Sequence, residues 1–129
     1  MIATAHRSLE AAADVFRSAG VHAVLLGDTV TGEAREVAKV YAALVREIRA
    51  YNNPLKPPVA LISGGECTVT LPPGTTGRGG RCTEFLLSLA VELEGTPEVY
   101  AVACDTDGID GSEDNAGAWL TPRSIEDAA

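Results

Sequence analysis

Apolar residues recur along this chain in two rhythms, one of three to four residues and one nearly continuous over five or six. In residues 3–19, Ala5, Leu9, Ala12, Phe16 and Ala19 fall on one face at helical spacing, and Gly20 ends the run. VHAVLL (21–26) then reads as a buried strand, and GDTVTG as a turn. A second helix is predicted from about Glu33 to Ala50. Its apolar stripe is Ala34, Val37, Ala38, Tyr41, Leu44, Val45 and Ile48, with Arg35, Glu36, Lys39, Arg46 and Glu47 opposite. Proline in YNNPLKPP stops it.

VALIS (59–63) is a second buried strand, and after Gly64-Gly65 the run ECTVTL alternates like a strand with one solvated face. A glycine-rich loop leads into a helix over 82–94, EVYAVAC (98–104) forms a third central strand, and AWL a short one. In the tail TPRSIEDAA, Thr121 suits an N-cap and Pro122 the first helical position, with Ser124 and Asp127 as a capping box. Helices alternating with apolar strands predict an α/β fold. We expect a three-layer-like sandwich around a mainly parallel sheet, with a β-hairpin between the second and third central strands.

A chain of 129 residues suits one domain, enough to bury roughly two-thirds of its unfolded surface. An apolar share of 46% argues against disorder, and a net charge of −8 against a broad nucleic-acid or anionic-membrane surface. Cys67, Cys82 and Cys104 are odd in number and lack CxxC spacing, and the opening MIATAHRSLEAAADVF is too charged for a signal peptide. A reduced, cytoplasmic setting is expected.

In a parallel sheet, ligands bind beyond the carboxyl ends of the strands. Three polar segments here follow strands: SGGE (63–66), GTTGRGGR (74–81) and DTDGIDG (105–111). Gly74 and Gly79 have the spacing of a P-loop, but Gly80-Arg81 stands where Lys and Ser/Thr are needed, and the dinucleotide fingerprint fails as well. What remains is close backbone approach at glycine, a helix N-terminus, and two cationic forks, Arg78 and Arg81, which together suit a phosphate or carboxylate. The same residues would also make a solvated loop whose arginines pair with the acidic segment. Asp105, Asp107 and Asp110 do not fit an EF-hand, since Asp110 stands where glycine is required; magnesium held by one or two carboxylates is more compatible, and turn-forming Asp and Gly is the plainer alternative. Glu66 could hold an arginine or a substrate hydroxyl, or simply be a surface turn residue. His6 and His22 read as structural, and no Ser-His-Asp or Cys-His arrangement is present.

Taken together, SGGE-x-TVT, GRGGR-x-x-E and DTDGIDG-x-x-x-x-AGA resemble the MOFRL domain, the C-terminal part of the glycerate 2-kinase family, many members of which are labelled hydroxypyruvate reductase. GEAREVA (32–38) resembles that family too. The resemblance implies ATP-dependent phosphorylation of glycerate at its 2-hydroxyl, with Mg2+ accompanying ATP, in a cleft between an N-terminal Rossmann-like domain and this one. It implies that Arg78 and Arg81 bind phosphate or the glycerate carboxylate, with Gly65, Gly79 and Gly80 lining the anion and Glu66 and Thr68 shaping the pocket. Glu84 would support the loop; Asp107 would join the arginines in catalysis, and Asp105 and Asp110 would face magnesium.

Cys67 and Cys82 stand where the family usually has Thr and a polar residue such as Asn. The resemblance further implies a single MOFRL-like domain over 1–129, with the N-terminal domain, its lysine and the family's closing segment outside this chain. That N-terminal domain would be the partner, in cis or as a split protein, and a lone chain could pair with a second copy through exposed apolar surface. Two other readings stay open: reduction of hydroxypyruvate by NAD(P)H, and a non-catalytic anion-binding or interaction module from a truncated gene.

Overall fold

The structure is a computed structural model that describes residues 5–70, 74, 80–94, 96–105 and 117–124. Its elements run α1 (Ala5–Ser18), β1 (His22–Glu33), α2 (Ala34–Tyr51), β2 (Val59–Thr68), α3 (Arg81–Leu93), β3 (Ala101–Cys104) and β4 (Gly117–Leu120). The fold is α/β. Two compact units divide it, one of Met1–Thr31 with Val45–Glu66, the other of Gly32–Leu44 with Cys67–Ala129.

In the first unit β1 and β2 run parallel. The His22 N–H donates to the Pro58 carbonyl at 3.3 Å, and further along Gly64 lies against Asp28 and Gly65 against Val30, so both strands advance together. Here the structure corrects two expectations. GDTVTG is strand rather than turn, and Gly64-Gly65 does not interrupt β2. The reason is a close approach of the two backbones: a Cβ on Gly65 (φ +149°) would overlap the Val30 carbonyl oxygen and stand 2.5 Å from the Val30 nitrogen. Composition that suggests a turn therefore marks a tight strand pairing. ECTVTL begins as the end of β2, and most of the expected hairpin beyond Thr70 lies outside the described residues.

On α1 the apolar face is Leu9, Ala12 and Ala13, with Leu9 methyls within reach of Gly64, whereas Ala5 and Ala19 are exposed. Asn52 ends α2 in the left-handed region (φ 53°), its N–H on the Ile48 carbonyl at 2.9 Å.

The second unit is built on α3. Leu86, Leu89, Ala90 and Leu93 recur at i, i+3, i+4 and i+7, and all are buried. They pack on the antiparallel pair β3–β4, where Leu120 is buried opposite Ala101. The other face of that pair carries Tyr100, Val102 and Trp119, all exposed. Ala34, Ala38 and Ala42 of α2 are fully buried at four-residue spacing, and Tyr41 meets Phe85 edge to face with ring centroids 5.4 Å apart. After β4, the Thr121 N–H donates to Ser124 Oγ at 2.8 Å, while the expected partner of Ser124 in a capping box, Asp127, lies outside the described residues. No helix among the described residues is long and apolar enough to cross a membrane.

Candidate functional site

Three chain ends of the second unit supply the candidate site: the tip of β2, the start of α3 and the end of β3. Helix α3 opens on Gly80, whose backbone is extended (φ −148°, ψ −170°). Glycine has no side-chain oxygen to cap with, so the helix caps itself from within. The Gly80 N–H donates to Thr83 Oγ1 at 2.9 Å, and that hydroxyl donates back to the Gly80 carbonyl at 3.0 Å. The Glu84 N–H closes the first turn on the same carbonyl, at 2.9 Å. These bonds set the place of Arg81, the first residue of the helix.

The β3–β4 ladder ends at the pair Cys104↔Gly117, and Asp105 is the next residue. Only glycine fits at 117. A Cβ there would overlap the Ala103 carbonyl oxygen and stand 2.6 Å from the Cys104 Cα. The strand tip that carries Asp105 is thus fixed by a backbone contact with no room to spare.

Arg81 and Asp105, 24 residues apart in sequence, meet here. Nη2 donates to Asp105 Oδ2 at 2.6 Å and Nε to the same oxygen at 3.1 Å. The Asp105 side chain is only 10% exposed and that of Arg81 35%, so water screens this pair far less than a surface pair. Cys67, at the tip of β2, feels the same guanidinium. Burial pushes its thiol above the ordinary value of 9.0, and the Arg81 charge pulls it back only in part, so the sulfur stays protonated at neutral pH.

Beside this, Thr68 donates through Oγ1 to the Gly32 carbonyl at 3.4 Å. Glu33 grips Thr70 with both oxygens, taking the backbone N–H at 2.6 Å and the hydroxyl at 2.8 Å. Those two bonds, the backbone one foremost, hold the Glu33 carboxyl below its ordinary 4.5.

Of the residues expected at the site, Arg81 and Asp105 come together, with Gly80 and Glu84 in the same helix start. Thr68 spends its hydroxyl on a neighbouring strand, and Gly65 has a structural reason to be glycine. Glu66 is exposed near the end of β2, in the first unit. Arg78, Gly79, Asp107 and Asp110 lie outside the described residues. Glu33 and Cys67 were not among the expected site residues. For both a signal existed: the GEAREVA stretch for Glu33, and for Cys67 its place after SGGE, where the resembled family usually has Thr.

A shallow apolar hollow opens elsewhere, between Ala90, Leu93, Thr96, Val99 and Leu120. It sits at the far end of α3, roughly 15 Å along the helix from Arg81, and holds no titratable group, so it is no candidate for chemistry.

The MOFRL family model matches residues 59–129. A relative from Agrobacterium vitis, provisionally named a hydroxypyruvate reductase, is 48% identical over 125 residues, 97% of this chain and 32% of the relative. The glycerate 2-kinase of Pyrococcus horikoshii is 38% identical over 117 residues, 91% of this chain and 26% of its own length. Among solved structures, a glycerate kinase from Thermotoga maritima superposes with a TM-score of 0.85 at 32% identity, covering 94% of this chain and 29% of that one. The chain thus spans about a third or less of the length of these relatives.

Proposed function

Because the chain belongs to the MOFRL family, we propose that it is the C-terminal, anion-holding part of an ATP-dependent glycerate 2-kinase that works against an N-terminal domain. The observation that carries this reading is the meeting of Arg81, at the mouth of α3, with Asp105, at the end of β3. It puts a cation and a helix N-terminus in one place, an arrangement that suits a transferred phosphoryl group or a carboxylate.

In the reaction, the glycerate 2-hydroxyl oxygen attacks the γ-phosphorus of ATP. The bond from that phosphorus to the bridging oxygen breaks, ADP leaves with the electron pair, and the hydroxyl proton is released. Such a reaction depends on positioning and on balancing charge rather than on covalent help from the protein. Arg81 and Arg78 would neutralise the transferred phosphoryl group or the glycerate carboxylate. Gly79 and Gly80 would let the anion approach the backbone, and Glu84 would support the loop. Asp107 would stand on the acidic side of the cleft, with Glu66 and Thr68 shaping its wall.

Magnesium, the usual companion of ATP, would find one oxygen of Asp105 already engaged: Oδ2 takes two guanidinium hydrogens from Arg81. No step is therefore assigned to a metal on Asp105. Asp110 stays as an expected ligand from the sequence alone.

The test is reconstitution. The chain is mixed with the N-terminal domain of a glycerate 2-kinase relative, D-glycerate and Mg-ATP, and 2-phosphoglycerate and ADP are followed. Both should appear. A stable complex of the two parts that releases no ADP would overturn the reading. The provisional name of the Agrobacterium relative favours one alternative, reduction of hydroxypyruvate. Consumption of NADH or NADPH on adding hydroxypyruvate to the same mixture would establish it.

A further inference from the structure

Among the described residues, α3 covers one face of the β3–β4 pair and nothing covers the other. Alternation along the strands turns Ala101 and Leu120 to the helix side and sends Tyr100, Val102, Cys104, Gly117 and Trp119 to the opposite side. There Tyr100 and Val102 are each 72% exposed, Trp119 is 81% exposed, and Cys104 is exposed too. A sheet face that stays in water carries polar or charged residues at alternate positions. None of these five positions is charged, and Val102 stands directly opposite Trp119 in the ladder, so the apolar groups form one patch.

The patch is uneven along its length. Tyr100 lies at one end and Val102 with Trp119 in the middle. At the other end Cys104 pairs with Gly117, which has no side chain. When two copies stack face to face, a two-fold axis running across the strands reverses their direction. The bulky Tyr100 end of one copy then lies over the low Cys104–Gly117 end of the other, and the two Val102–Trp119 pairs meet near the axis. The face is complementary to itself, as an isologous interface requires. Each α3 is left on the outside, so the layers run helix, sheet, sheet, helix.

Area and charge agree with such a pairing. At about 150–250 Å² for each aromatic side chain, Tyr100, Val102 and Trp119 together offer on the order of 400 Å² per copy. With their immediate surroundings two copies would bury roughly 800–1,000 Å², the lower limit for a specific pair and the range of weak ones. The patch holds no charge that would select a partner of opposite sign, and the net charge of −8 opposes self-association only at long range.

We propose that this face docks a second copy of the chain, in a weak two-fold dimer. The inference is independent of the kinase reading.

The experiment follows the full chain by sedimentation velocity over a wide range of concentration. Tryptophan emission is read in the same samples, where it reports on this face alone because Trp119 is the chain's single tryptophan. The chain should be half associated at roughly 10–100 μM, and emission should move to shorter wavelength as the dimer forms and the indole leaves water. High salt should strengthen the association by screening the repulsion between two acidic chains. Val102→Lys sets two ammonium groups near the axis and keeps the tryptophan. It should weaken association roughly tenfold or more, with emission staying that of an indole in water. Trp119→Ser should weaken association by a similar factor, roughly tenfold or more. Both positions are exposed, circular dichroism checks the fold, and either variant decides if the other does not fold.

A chain that stays monomeric at every concentration, or a dimer that a folded variant leaves intact, overturns the assignment. So does emission that shifts only on adding the N-terminal domain of a glycerate 2-kinase relative, because that domain is then the occupant. None of these results counts against the kinase reading.

Discussion

At the scale of single residues, the best-defined electrostatic contact outside the ion pair is Glu33 with Thr70. The folded Glu33 carboxyl lies below its ordinary 4.5, through the Thr70 N–H first and its hydroxyl second. A lowered folded value means that the contact stabilises fully above the ordinary carboxylate value and is lost as pH falls through the folded one. A carbon-detected titration of Glu33 should therefore give a midpoint below 4.5, and Thr70→Val should return it less than half of the way, because the backbone bond remains. A wild-type midpoint at or above 4.5 would remove the contact. This residue also shows where sequence reading stops. Arg81 and Asp105 were legible because glycines, cations and a helix start, or aspartates after a strand, carry their chemistry locally. The Glu33–Thr70 bond spans 37 positions, and no local pattern encodes such a pairing.

At the scale of elements, the long helices were legible to within a residue or two, since their apolar stripes repeat over several turns. The strands were harder. GDTVTG and Ser63-Gly64-Gly65 have turn composition, yet they lie side by side in β1 and β2. The alternation Thr29-Val30-Thr31 is β-branched and favours strand, but only the facing strand decides between the two readings. The account gives a direct check. Gly65→Ala places a methyl against the Val30 backbone, where no flexible side chain can yield, and should cost about 1–3 kcal/mol. Urea denaturation should show a lower midpoint with an unchanged slope. Equal stability of the two proteins would mean that the strands are not so close.

At the scale of the whole molecule, fold and family agree: an α/β chain whose MOFRL match covers 59–129 and whose relatives are about three times longer. Because the chain spans about a third or less of those relatives' length, the proposed activity is expected alongside a second domain. Within this chain the claim narrows to one guanidinium. Kinase rate in the reconstituted pair, measured for wild type and for Arg81→Met, tests it most directly. Loss of a preorganised donor to developing charge should lower the rate roughly 100- to 1,000-fold, with the fold retained by circular dichroism. A rate within twofold of wild type would show that Arg81 holds no reacting anion.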